Sequence, residues 1–155
     1  MSSIYIYNFE PFSALFIWGN MDNINLLIEY LIAIGNYSKD IHYNCKGDSF
    51  YSKHLLADRI QDNLSDYIDQ IKEVCFLAAD KEPLPSGEYL SRATSLIPEV
   101  TNNDKENFKL MENLLTVCLE NIEKINELTK GEENLIGAIA QDLQTSLGLV
   151  NQQIK

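Results

Sequence analysis

The chain has 155 residues and a formal net charge of −11, from 12 Lys plus Arg against 23 Asp plus Glu. With 45% hydrophobic and 23% charged residues it has the makeup of one globular domain, not of a disordered chain. Its cations, among them Lys39, Lys46, Lys53, Arg59, Lys72, Lys81 and Arg92, are spread thinly. That pattern argues against nucleic acid or an anionic membrane as partner and suits the collection of cations. The three cysteines, Cys45, Cys75 and Cys118, are odd in number and fall at no metal-finger spacing, which fits a reducing, cytoplasmic setting. No apolar run reaches the ~18 residues of a membrane span.

Taken in chain order, residues 1–21 form an N-terminal extension of uncertain structure, rich in aromatics (Tyr5, Tyr7, Phe9, Phe12, Phe16, Trp18). No Lys or Arg precedes Lys39, so the extension lacks the positive start of a secretory signal. From 22 to 155 the apolar residues recur at helical spacing. A first helix spans about 22–44 through Leu26, Leu27, Tyr30, Leu31 and Ile34, with Asp22 or Asn23 as its cap. A second, capped by Asp48 or Ser49, runs to Cys75 or Leu77 through Leu55, Leu56, Ile60, Leu64, Ile68 and Ile71. The connection 78–103 holds Pro83, Pro85 and Pro98 and is long enough for one short helix around Tyr89–Ala93. Asp104 starts a third helix through Phe108, Met111, Leu115, Cys118 and Ile122, with Gly131 expected just past its end. A fourth runs from about 132 through Ile136, Ile139, Leu143 and Val150. No alternating strand pattern competes. Two helix hairpins joined by one long crossover make an all-α, ferritin-like four-helix bundle over residues 22–155.

The chain has two histidines, His42 and His54. His54 is followed at i+4 by Asp58, and Asp69 is followed at i+4 by Glu73, so each pair shares a helix face. On one regular helix the four fall within an arc of roughly 100°. Taken singly, each is an ordinary surface residue. Together they form a mixed imidazole and carboxylate set that suits iron(II) or zinc. Asp58 and Asp69 stand about 16 Å apart along a helix axis, far beyond metal-ligand bonds of about 2.0–2.3 Å. One ion therefore cannot bind both pairs of one chain. An antiparallel copy closes the gap: Asp69 and Glu73 of one chain face His42, His54 and Asp58 of another across a two-fold axis.

The run His42-Tyr43-Asn44-Cys45-Lys46-Gly47-Asp48-Ser49-Phe50-Tyr51-Ser52-Lys53-His54 resembles the HWNVKG…FFxLH signature of the Dps family of mini-ferritins. Asp58 and the pair Asp69, Glu73 are similar to that family's further ligands at the same intervals. Pro83–Leu90 resembles its crossover, so the likeness covers about 22–155 with its sharp part in 42–73. It implies a homododecameric hollow shell whose inter-subunit ferroxidase sites oxidise Fe(II), usually with hydrogen peroxide. The shell stores ferric iron and protects against oxidative stress. His42, His54, Asp58, Asp69 and Glu73 are the implied catalytic and metal residues, Glu73 bridging two irons, with zinc able to substitute in vitro. Tyr43 stands where the family has Trp, and the cationic tail of DNA-binding members is missing. The absence of Glu-x-x-His argues against the intra-bundle di-iron site of larger ferritins. Two other readings remain open: a non-catalytic metal-binding cage with the same ligands, and a helical interaction module that docks through its N-terminal aromatics.

Overall fold

The computed structural model describes the backbone of residues 12–155 and the side chains from Asn20 onward. Tyr5, Tyr7 and Phe9 lie outside the described residues. The described chain is all-helical: α1 (Phe12–Asn44), α2 (Phe50–Gln61), α3 (Leu64–Ile71), a π-helical segment (Lys72–Leu77), α4 (Ser86–Thr94), α5 (Asp104–Ile122) and α6 (Lys130–Ile154). No helix among them is long and apolar enough to cross a membrane.

The core follows from helical spacing. On α1, Leu27, Leu31, Ile34, Tyr37 and Ile41 recur every three or four residues and are buried. Facing them are Phe108, Met111, Leu115 and Cys118 of α5, and Ile136, Ile139, Leu143 and Val150 of α6. Ala57 and Ile60 of α2, Leu64 and Ile71 of α3, and Cys75 and Phe76 of the π segment complete the cluster. α1 packs on α2 and on α5, and α6 packs on the same two, so these helices enclose one interior.

The crossover is pinned at both ends by buried polar groups that find partners, as buried polar groups must. At one end the Tyr89 hydroxyl donates to Asn25 Oδ1 at 2.6 Å and accepts from Leu84 N at 3.1 Å. At the other, Asn107 Oδ1 accepts from Thr101 N and from the Tyr37 hydroxyl, while its Nδ2 donates to Thr101 O. Burial also pushes the Tyr37 phenol well above its ordinary pKa, so it stays a donor.

Several boundaries differ from those read in the sequence. α1 starts at Phe12, not at a cap on Asp22 or Asn23. Between Pro11 and Asn44 no proline interrupts the chain, and a lone Gly19 does not end a helix. The expected extension 1–21 therefore contributes its last ten residues to α1, including the positions of Phe12, Phe16 and Trp18. The second helix is not continuous: it breaks at Asp62–Asn63, where Asp62 N bonds to Arg59 O at 3.4 Å in a turn. α6 clasps the break, since Asp142 takes Arg59 (3.3 Å), Asn63 Nδ2 (3.3 Å) and the Tyr67 hydroxyl (3.1 Å). Asn103, not Asp104, caps α5 by accepting from Glu106 N at 3.1 Å. Gly131 does not terminate α5, which stops at Ile122, but falls inside the first turn of α6. There Thr129 and Glu132 form a reciprocal capping box that starts the helix at Lys130.

Candidate metal centre

The end of α1 and the start of α2 meet through the turn 45–49. Gly47 takes φ +72, a left-handed conformation that glycine adopts without a Cβ clash. Ser49 is also left-handed at φ 60, and its side chain makes no cap bond. The turn is held instead from outside. Asp104 Oδ2 accepts from Lys46 N at 3.2 Å and from Lys53 Nζ at 2.8 Å, tying both sides of the turn to the start of α5. This clasp folds α2 back so that His54 lies directly against His42.

The two imidazoles stack, with ring centroids 3.6 Å apart and planes at 25°. Their hydrogen bonds are reciprocal: His42 Nδ1 bonds to His54 O at 3.1 Å, and His54 Nδ1 to His42 O at 3.0 Å. A carbonyl oxygen only accepts, so each Nδ1 must carry the hydrogen. In the neutral ring the lone pair then resides on Nε2. Metal-binding histidines are commonly oriented in this way, one ring nitrogen bonded to a backbone carbonyl and the other left for the ion. Both neutral rings are thus held with Nδ1 protonated and Nε2 free of hydrogen.

Aromatics continue the stack. Phe50 lies on His54 at 5.2 Å and 27°, and Tyr43 meets His42 edge-on at 4.9 Å and 86°. Tyr43 is 78% and Tyr51 71% exposed, and Phe50 and Leu55 are also open, so an apolar rim surrounds the histidines. Cys45, three residues from His42, is buried, and its thiol lies 3.6 Å from His42 O. Burial first, then the nearby Asp104 charge, raises its pKa, which keeps it a thiol and not a thiolate ligand. Burial raises Cys75 to about 11 and Cys118 to about 12.

Of the five residues singled out in the sequence, the fold brings His42 and His54 together. Asp58, one turn after His54, is exposed and accepts from Gln61 Nε2 at 3.1 Å. Asp69 ends up near the end of α3 and Glu73 inside the π segment, both exposed. Among the described residues, no three His, Cys, Asp or Glu side chains are grouped closely enough to hold an ion. The sequence reading missed the Lys53–Asp104 clasp, which joins residues far apart in the chain and leaves no local pattern. It also missed the π segment, whose onset at Lys72 coincides with the cation of Lys72 lying 5.2 Å from the centre of the Tyr89 ring.

No protein-family model matches this sequence, and no curated protein matches it either.

Proposed function

We propose that this chain is a Dps-like mini-ferritin: a ferritin-like four-helix bundle that assembles into a hollow homo-oligomer and oxidises Fe(II) at sites shared between two subunits. The observation that carries this reading is the stacked His42–His54 pair, each Nδ1 spent on the other's carbonyl and each Nε2 left to bind. The exposed carboxylates of Asp58, Asp69 and Glu73 supply the hard oxygen donors that iron prefers beside imidazole. Asp58 on α2 and Asp69 on α3 lie on either side of the break at Asp62–Asn63, and no three such ligands group together among the described residues of one chain, so in this reading the second pair serves the histidines of another copy. The apolar rim of Tyr43, Phe50, Tyr51 and Leu55 gives that copy something to cover.

In this reading Fe(II) is the substrate and hydrogen peroxide the oxidant. Two Fe(II) each give up one electron, the O–O bond breaks, and two protons are taken up to release two waters and two Fe(III). Glu73 bridges the two irons, and His54 and Asp58 hold the second. Pairing the electrons in one event avoids a hydroxyl radical, the protective part of the function. The net charge of −11 favours Fe(II) near the particle.

The test is anaerobic loading of the sized protein with Fe(II), followed by a stoichiometric pulse of peroxide and absorbance in the ferric-oxo region. A fast rise at two irons per peroxide is expected. A rise no faster than buffer, from a chain that takes up Zn(II) at the same ligands, replaces this reading with that of a non-catalytic metal-binding cage.

A further inference from the structure

Every exposed residue of α6 from Asn134 to Gln152 is uncharged. The exposed face of α5, by contrast, carries Lys105, Glu106, Lys109 and Glu120. The one charge within that span of α6, Asp142, is turned toward Arg59, Asn63 and Tyr67. On a chain of net charge −11, a charge-free face that runs the length of a helix calls for an explanation.

Two glycines sharpen the question. Gly137 and Gly148 lie within α6, where glycine is less favourable than any residue except proline. A Cβ at either position would meet nothing within 4 Å, so no contact inside this chain demands glycine. Their separation places both within about 20° of one line along the helix, about 16 Å apart. Beside Gly137 runs an open groove of about 400 Å³, lined by Asn134, Ala138 and Gln141 and closed at its N-terminal edge by the ion pair of Lys130 with Glu133.

We propose that this face packs against the same face of a second copy, two α6 helices lying antiparallel about a two-fold axis midway between the glycines. Gly137 of one chain then lies opposite Gly148 of the partner subunit, and the missing side chains let the helix backbones approach. The choice of a second copy rests on charge and hydrogen bonding. Two acidic chains repel wherever charged faces meet, and this face brings no like charges together. The amides of Asn134, Gln141, Gln144 and Gln152 both donate and accept, so the surface is complementary to itself, as a two-fold contact requires. A basic partner would find one carboxylate, Glu133 at the edge of the groove, already paired with Lys130, and an apolar one would find only Ala138 and Leu149. The inference does not depend on iron. It adds a second contact between copies to the one that the shared metal site requires.

The test compares the full chain with Gln141→Glu/Gln144→Glu by light scattering across a concentration series, with helicity checked by circular dichroism. The substitution keeps shape and helix propensity and adds charge at the axis. The expected result is a smaller particle, or association weakened by about tenfold or more, at unchanged helicity. A second variant, Gly137→Ala/Gly148→Ala, is expected to raise the melting midpoint of the chain while weakening association, two effects of opposite sign. Unchanged particle size and association in both variants, or a parental chain that remains monomeric, overturns the proposal. Zn(II) uptake at His42 and His54 is expected to survive both variants, so failure of this contact and failure of the metal reading are seen separately.

Discussion

The chain contains two helix hairpins built on different principles. The α5–α6 hairpin starts its second helix with a local side-chain cap, the Thr129–Glu132 box. The α1–α2 hairpin has no side-chain cap on α2, places Ser49 in a left-handed conformation, and is closed by Asp104 from another helix. The first arrangement is the cheaper way to turn a chain. The second brings two imidazoles face to face, with each Nδ1 bonded to the carbonyl of the other histidine. Both hairpins hold a left-handed non-glycine residue, Ser49 in the first and Glu127 in the second, and each is tied by another helix, Asp104 to the turn 45–49 and Asn20 to Asn126; what differs is the side-chain cap at the start of the returning helix.

The largest expected effect separates chemistry from folding. His54→Ala or Glu73→Ala is expected to lower the fast phase of iron oxidation by roughly 100-fold or more while helicity is retained, because both residues lie outside the hydrophobic core. Stopped-flow absorbance and circular dichroism read the two halves of this statement. Mixed assemblies of the two inactive variants are expected to regain part of the activity, since in the proposed reading each site draws on two chains.

Next comes the clasp. Asp104→Asn is expected to cost about 1–2 kcal/mol and to loosen the histidine stack, lowering Zn(II) affinity as well as the melting midpoint. Desolvation alone would raise the Asp104 carboxyl, but the bond from Lys53, with the Lys46 backbone bond and both lysine charges, outweighs it and holds the pKa below its ordinary value. A lowered carboxyl contributes stability above its unfolded pKa of about 4 and loses it as pH falls through the lowered value. Melting curves of the parent and Asp104→Asn should therefore converge in acid and separate above about pH 4. Parallel curves would remove the clasp from the account.

The control lies in the other hairpin. Thr129→Ala removes the capping box and is expected to cost about 1 kcal/mol of stability with metal affinity unchanged. If it altered zinc binding as much as Asp104→Asn does, the contrast between the hairpins would collapse. The smallest effect has the opposite sign. Ser49→Gly relieves a left-handed residue and is expected to stabilise the chain by about 0.5–1 kcal/mol, readable as a small upward shift in the denaturant midpoint.

Much of this molecule was legible from residue spacing, because a helix exposes its pattern locally. The apolar residues of α1, α5 and α6 named their buried faces, and the i, i+4 spacing of His54 and Asp58 falls within α2, whereas Asp69 and Glu73 lie on different elements, α3 and the π segment. The Thr129–Glu132 box of α6 was not read from the sequence, whereas the cap of α5 was legible to within one residue, Asn103 sitting beside Asp104. The start of α1 was not, since an apolar stretch without breakers reads equally well as an extension.

What only the tertiary structure decided are the features that need partners distant in the chain. The break at Asp62–Asn63 is stabilised by Asp142, the turn 45–49 by Asp104, and the start of the π segment is accompanied by the contact of Lys72 with Tyr89. No local pattern encodes them, because the compensating group lies on another helix and becomes available only when the helices pack. The same holds for the reciprocal bonds of His42 and His54. The sequence determined which donor atoms the chain carries, and the fold determined which nitrogen of each ring is spent on a carbonyl.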